Sequence, residues 1–368
     1  MTPLLFLLTF ALVATLYEND RMNNSFWVIE QSKQKLIAPG IPIYTILLFI
    51  AMYFLCATRD ISVGVDTKHY YFSFFHESVR SVEPTFYIIK KIAQSLGDSF
   101  PIFLNLFALA TFIPLFFFFK KNSTNVAFSL LIYLSFSNYF YPETFNTIRA
   151  TASISFFLLS ISFFTEKKFV LCIIYTVTAI LFHYSAIVIY LLALPFFFIP
   201  KIPQKFAILA ITSSVILGIF FASGFNEWAL NLSTNLAFFS EDYAYHLMNL
   251  KETHFNIIGL TLGILPFSIL CIFLHTEDNS KNVYYKLFLF STILGNIFIS
   301  VDLIYRITMY LSILITIILP NTIRKTSGIQ RNILFYITGF IILFFLLRIT
   351  LSNDSLAGII PYSSSITF

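Results

Sequence analysis

The sequence predicts an all-α, polytopic membrane protein of about twelve transmembrane helices, and three observations carry that expectation. Hydrophobic residues fill 58% of the 368 positions and charged residues 11%, where soluble domains carry about 25% charged. Phe occurs 47 times and mean hydropathy is +0.82. Basic residues recur in every second connection between the apolar runs, as the positive-inside rule requires. With 23 basic and 18 acidic side chains, no water-soluble surface can be built for 42.4 kDa.

The apolar runs fall at 3–17, 42–57, 100–119, 126–141, 147–164, 169–182, 184–199, 206–222, 255–274, 287–301, 303–319 and 332–350. At about 20 residues per span, twelve helices use roughly 240 residues and leave roughly 130 for loops. A single transmembrane domain over 1–368 follows, with no room for a folded soluble domain. The first run does not read as a cleavable signal: no Lys or Arg precedes it, and Glu18 and Asp20 follow without a small-residue cleavage site. Lys120–Lys121, Lys167–Lys168, Lys201 with Lys205, Lys281 with Lys286, and Arg324–Lys325 with Arg331 mark the cytoplasmic side, joined by Arg21, Lys33 and Lys35. That side holds 14 Lys/Arg against 6 Asp/Glu, the opposite side 9 against 12, and both termini lie outside.

Two outward segments are long. In 58–99 the stretch 83–96 reads as an interfacial helix with Phe86, Ile89, Ala93 and Leu96 on one face and Lys90, Lys91 and Gln94 off it. The segment 223–254 carries Trp228, Glu241, Asp242, Tyr243 and Tyr245 and reads as an aromatic-rich cap. The Phe-rich stripes read as lipid-facing. Cys56, Cys172 and Cys271 have neither disulfide nor metal spacing. No phosphate-cradling glycine loop occurs, which excludes ATP-driven pumps with their own nucleotide domain, and a net charge of +5 describes loop placement rather than nucleic-acid affinity.

The outward charges do not follow from the topology rule. Arg59 and Asp60 open Arg59-Asp60-x-x-x-Gly64-x-Asp66-Thr67-x-x-Tyr70; then come Glu83-Pro84-x-x-Tyr87, Glu143, Asn146-x-x-Arg149, His183, and Asp302 with Arg306. All fall near one membrane level, and ionisable groups there usually face a bundle interior or polar cavity. Plain structural roles stay open for each: Arg149 as a snorkelling side chain, Asp302–Arg306 as an i,i+4 pair, His183 as a turn residue, Asp66 as a helix cap, Glu83 as the acid before a proline-started helix. Taken jointly, three arginines with acids suit a phosphate-bearing lipid, because the guanidinium fork binds phosphate oxygens and keeps its charge in low dielectric. Glycosyl transfer from a polyprenyl-diphosphate sugar needs cations for the departing diphosphate and a base for the attacking hydroxyl; Asp66, Glu143, His183 and Asp302 are the available bases. The donor carries its own energy, so no cofactor is expected, and Arg59 beside Asp60 speaks against a divalent metal.

At these residues the sequence resembles the EpsG-like family of Wzy-type O-antigen and exopolysaccharide polymerases. The carrying elements are Arg59…Gly64-x-Asp66…Tyr70, Glu83-Pro84-x-x-Tyr87, Asn146-x-x-Arg149, Phe182-His183-x-Ser185-Ala186 and Tyr305-Arg306. They stand in order between about residues 40 and 320; the departure is Ala150 after Arg149, where the family commonly has Gln. The resemblance implies a glycosyltransferase of the bacterial inner membrane. It would move a growing glycan from undecaprenyl diphosphate onto another lipid-linked repeat at the periplasmic face, alongside a chain-length regulator and a flippase. It implies diphosphate contacts from Arg59, Arg149 and Arg306, a catalytic base in Asp66 or His183, and glycan contacts or support from Tyr70, Glu83, Glu143 and Asp302.

Three other readings compete. An O-antigen ligase uses the same donor, and composition does not separate it from a polymerase. A transferase using a lipid-monophosphate donor would want a metal-binding acidic pair such as Asp60 and Asp66. A flippase would show internal repeats and helices interrupted near mid-membrane, and no repeat is visible here.

Overall fold

The computed structural model describes residues 2–32, 41–76, 83–135, 140–236, 266–298, 302–351 and 358–365. In chain order the helices are α1 (Thr2–Ser32), α2 (Ile43–Ala57), α3 (Thr67–Phe75), α4 (Pro84–Ser95), α5 (Phe100–Asn122), α6 (Val126–Ser135), α7 (Glu143–Asn146), α8 (Ile148–Thr165), α9 (Phe169–Phe182), α10 (Ala186–Phe198) and α11 (Gln204–Leu236). Then come α12 (266–273), α13 (Glu277–Lys281), α14 (Val283–Ile297), α15 (Asp302–Ser312), α16 (Ile315–Lys325) and α17 (Gly328–Leu351). Among the described residues there is no strand, as expected where lipid cannot satisfy an open sheet edge.

Among the described residues three stretches are long and apolar enough to cross a membrane: Phe100–Asn122, Ile148–Thr165 and Arg306–Lys325. Shorter apolar helices of 10–17 residues join them, so the chain is an all-α membrane protein. Two sequence expectations are adjusted. The first apolar run is the start of a longer helix that continues to Ser32 rather than ending in a loop at residue 18. The run 303–319 is broken between α15 and α16. The proposed cap over 223–254 lies outside the described residues beyond Leu236, where α11 ends.

The chain divides into two compact units. The first comprises residues 1–191, 316–327 and 338–368, and α8 lies at its heart, packed on α5 and α9. Small buried residues make that possible: Ala150, Ala152, Ser153, Ser155, Ser160 and Ser162 let neighbouring backbones approach. The hydroxyls become interhelical links, with Ser153 Oγ donating to the Ala179 carbonyl at 2.7 Å and Ser160 Oγ 2.6 Å from Tyr190 Oη. The phenylalanines are a correction to the lipid-facing reading. Phe103, Phe107, Phe112, Phe118 and Phe119 of α5 are fully buried, while Phe117 faces outward. Apolar surface alone gives no drive to associate in lipid, so interlocked rings supply packing; Phe103 meets Phe107 edge-on at 5.0 Å between centroids.

The two ends of this unit are set by contacts. Pro3 and Leu4 of α1 line a small cavity together with Leu55, Tyr141, Phe145 and Tyr362 at one end. At the other, buried Glu18 accepts from the backbone N–H groups of Val126 (3.2 Å) and Ala127 (2.8 Å), capping α6, while Lys121 pairs with Glu166 at 2.9 Å. Lys90 is a second correction: it is buried, and its ammonium donates to the carbonyls of Ser73 (2.8 Å) and His76 (2.9 Å), closing the C-terminus of α3.

The second unit comprises 192–315 and 328–337. Its α11, α12 and α14 are joined through Asn296, whose amide donates to Ser214 (2.8 Å) and Ser268 (3.1 Å). A Cβ on Gly218 would lie 2.0 Å from the Asn296 carbonyl oxygen, so glycine is what lets α11 and α14 close.

Candidate functional site

Glu83, Arg149, His183 and Tyr70 converge at the α2-exit end of the first unit. Pro84 opens α4, holding Glu83 in the extended conformation imposed on a residue before proline. Thr85 Oγ donates to the Leu181 carbonyl at 2.7 Å, fastening α4 to the last turn of α9. His183 ends that turn: its backbone is extended, and its N–H closes α9 on Ala179 at 3.0 Å.

The Glu83 carboxylate is shared. Oε2 accepts from Arg149 Nη1, and Oε1 lies 2.6 Å from His183 Nδ1. Glu83 is 6% exposed, Arg149 30% and His183 22%, so the carboxylate is the buried floor and the two cationic-capable groups are its open rim. The Arg149 guanidinium stands over the buried Phe86 ring, 5.8 Å from the centroid, with the Tyr70 side chain beside it. Burial pushes the Glu83 carboxyl up, but the His183 hydrogen bond and the Arg149 charge outweigh it and hold the group below the usual carboxylate range. Arg149 occupies the first turn of α8, where the helix dipole disfavours a cation; Glu83 offsets that. Its Nε is buried with no hydrogen-bond partner.

Arg59 is placed differently from a ligand-gripping residue. It is 1% exposed. Nη1 donates to the Cys56 carbonyl (2.7 Å), Nη2 to the Phe145 carbonyl (3.2 Å) and Nε to Thr67 Oγ (3.3 Å). The guanidinium therefore ties the end of α2, the start of α3 and α7 together. Gly64 completes this knot at φ +91°, where a Cβ would meet the Phe145 carbonyl and Thr67 Oγ at 2.8 Å. Asn146 Oδ1 receives the Val65 N–H at 2.6 Å.

The remaining predicted residues are distributed as follows. Asp66 is half-buried at the start of α3 and makes no cap hydrogen bond; it stands one turn before Tyr70. Glu143 begins α7 and accepts from Thr147 Oγ at 3.0 Å. Asp302 and Arg306 lie on α15 in the second unit, with Arg306 exposed. Among the described residues no three of His, Cys, Asp and Glu gather as metal ligands.

Sequence reasoning missed the segment 358–365, which lies along the 58–64 loop: Asp60 N–H donates to Ser363 O at 3.0 Å, Ser365 N–H to Thr58 O at 2.8 Å, and Gly64 N–H to Gly358 O at 2.8 Å. Pairing through the backbone leaves little side-chain signature; Gly358 at φ +77° is the one residue type that the geometry demands.

With this geometry in place, the sequence model of the EpsG family matches residues 43–364, which takes in α2, the shared carboxylate and most of the 358–365 segment. The chain belongs to the EpsG family. EpsG proteins are Wzy-like polysaccharide polymerases, so membership gives the chain a glycosyltransferase-like polymerase role at the level of the family. No curated protein and no solved structure matches the chain significantly.

Proposed function

We propose that this EpsG member polymerises lipid-linked oligosaccharide repeats at the periplasmic face of a bacterial inner membrane. It transfers a growing glycan from undecaprenyl diphosphate to a sugar hydroxyl of another lipid-linked repeat. The bond between the anomeric carbon and the diphosphate oxygen breaks, and undecaprenyl diphosphate leaves with the electron pair. The acceptor oxygen bonds to that carbon, and its proton passes to a base.

The observation that carries the assignment of roles is the Glu83 carboxylate shared between Arg149 and His183. A carboxylate accepting from Nδ1–H fixes the neutral imidazole with its lone pair on Nε2, the atom that takes the acceptor proton. Arg149, part-exposed at the rim of the carboxylate, binds the leaving diphosphate, whose charge grows in the transition state. Arg59, with its donors spent on the protein, is assigned to support. Asp66 is the competing base.

The test is polymerisation of purified lipid-linked repeats in detergent, read as a ladder on a gel. His183→Ala should leave single repeats while Asp66→Asn still extends them. The reverse result transfers the role of base to Asp66. Full ladders from both variants, or polymer formation on a lipid A core acceptor alone, overturn the proposal.

A further inference from the structure

The last carbonyls of α2 have no intrahelical partner, as at any helix C-terminus. Here Arg59 Nη1 meets the Cys56 carbonyl (2.7 Å) and Tyr362 Oη the Leu55 carbonyl (2.9 Å), while the carbonyl of Thr58, the residue after the helix, accepts from Ser365 N–H at 2.8 Å. Three further links run along the loop, Asp60 N–H to Ser363 O, Gly64 N–H to Gly358 O, and Ser62 Oγ to Ser363 Oγ at 3.0 Å. Gly358 is pressed so close that a Cβ would lie 2.9 Å from the Val65 nitrogen. The segment 358–365 is thus tied at these five points.

What it holds is connected to the site by short steps. Val65, beside the Gly64–Gly358 link, donates to Asn146, and Asn146 stands three residues before Arg149. Phe145, next to Asn146, gives its carbonyl to Arg59. The same loop ends at Asp66 and Thr67, where α3 begins and carries Tyr70 to Arg149. Two of the routes from the loop therefore lead toward the site, one through Asn146 to the start of α8 and one through Thr67 into α3.

We propose that residues 358–365 are a fixed strap that positions the 58–66 loop and, through Asn146 and Tyr70, sets Arg149, with Gly358 and Tyr362 as its positioning residues. The activity arm of its test rests on the polymerase reading; a thiol-accessibility arm does not. The strap does not open during turnover, because the loop it holds carries the buried Arg59 knot.

The experiment uses the full chain with Cys172→Ser, since Cys56 and Cys271 are buried. Gly358→Val should keep the amount of protein in the membrane, expose a Val63→Cys thiol that is shielded in the parent, and lower kcat/KM for lipid-linked repeats about 10- to 100-fold, the range a displacement of about 1 Å brings. Tyr362→Phe, which keeps the ring and loses one cap, should act in the same direction by about 3-fold, the scale of one modest hydrogen bond. A Ser62→Cys/Ser363→Cys disulfide should form on oxidation, preserve parental turnover, and restore activity to Gly358→Val. Parental kcat/KM in Gly358→Val with the Val63→Cys thiol exposed would overturn the proposal. So would a bridged enzyme that is dead until reduced, which would make the segment a moving lid. Should Gly358→Val fail to accumulate, Tyr362→Phe and the disulfide decide alone. A parent that makes no polymer refutes the polymerase reading, while thiol exposure still reports whether the strap holds the loop.

Discussion

Two buried carboxylates stand at opposite ends of the first unit, and their partners separate a fastening from the proposed reaction centre. Glu18 is met by the backbone N–H groups of Val126 and Ala127 and lies 3.5 Å from Thr45 Oγ, groups that do not titrate. Glu83 is met by Arg149 and His183, both part-exposed. Their whole-residue exposure is nearly equal, 7% for Glu18 and 5% for Glu83. Depth therefore says nothing about role; the chemistry and openness of the partners do. The arginines divide in the same way, with Arg59 buried and spent on carbonyls and Arg149 part-exposed.

The largest effect that tests this contrast is at the arginines. Arg149→Lys keeps the charge and loses the fork, so the polysaccharide ladder should collapse, with turnover down about 30- to 1,000-fold and membrane abundance near normal. Arg59→Lys should do the opposite. One ammonium cannot reach Cys56 O, Phe145 O and Thr67 Oγ together, so abundance and thermal midpoint fall before specific activity does. Equal behaviour of the two variants would break the distinction between support and site.

Next in size is Glu83→Gln. It removes the charge facing Arg149 and leaves one amide oxygen where two carboxylate oxygens served Arg149 and His183, costing about 2–3 kcal/mol, below the range for a fully buried pair because Arg149 is part-exposed. The pH dependence has a definite sign. A carboxyl whose pKa is depressed in the folded state stabilises fully above its unfolded value, about 4.3, and that contribution is lost as pH falls through the folded value. Parent and Glu83→Gln should therefore differ in thermal midpoint at pH 7 and converge well below pH 4. A gap that persists there would show that the carboxylate charge is not what stabilises the cluster.

Much of this arrangement was legible in the sequence, for reasons that differ by residue. Arg149 and Glu83 stood out because ionisable groups near a span are costly and rarely incidental, and Pro84 announced the helix that places Glu83. The helical membrane class followed from composition. Arg59 was legible as a conspicuous charge but not as a strut, because the carbonyls it caps belong to Cys56 and to Phe145, 86 residues away. Lys90 was assigned to the wet face of α4 by periodicity, and the unpaired carbonyls of α3 drew it inward. The 358–365 strap was invisible, since backbone pairing leaves little compositional trace. Buried phenylalanines look identical to lipid-facing ones in a chain where both solvents are apolar.

The smallest effect is expected at the other end. Gln at position 18 can still accept one of the α6 N–H bonds through its amide oxygen but loses the charge that complements the helix N-terminus, and its NH2 group turns a donor toward another donor. A cap of this kind is worth about 1 kcal/mol, so Glu18→Gln should lower the thermal midpoint by a few degrees, about 2–4 °C on the scale of large domains. Because Glu18 stands at the far end of the unit from Glu83, its pH–activity profile should superimpose on that of the parent, whereas Glu83→Gln should displace the profile by removing the carboxylate charge between Arg149 and His183. Measuring both profiles on the same lipid-linked substrate makes Glu18 the internal standard. If Glu18→Gln also moved the profile, burial of a carboxylate at either end would be enough to tune the reaction, and the contrast between the two partners would lose its meaning.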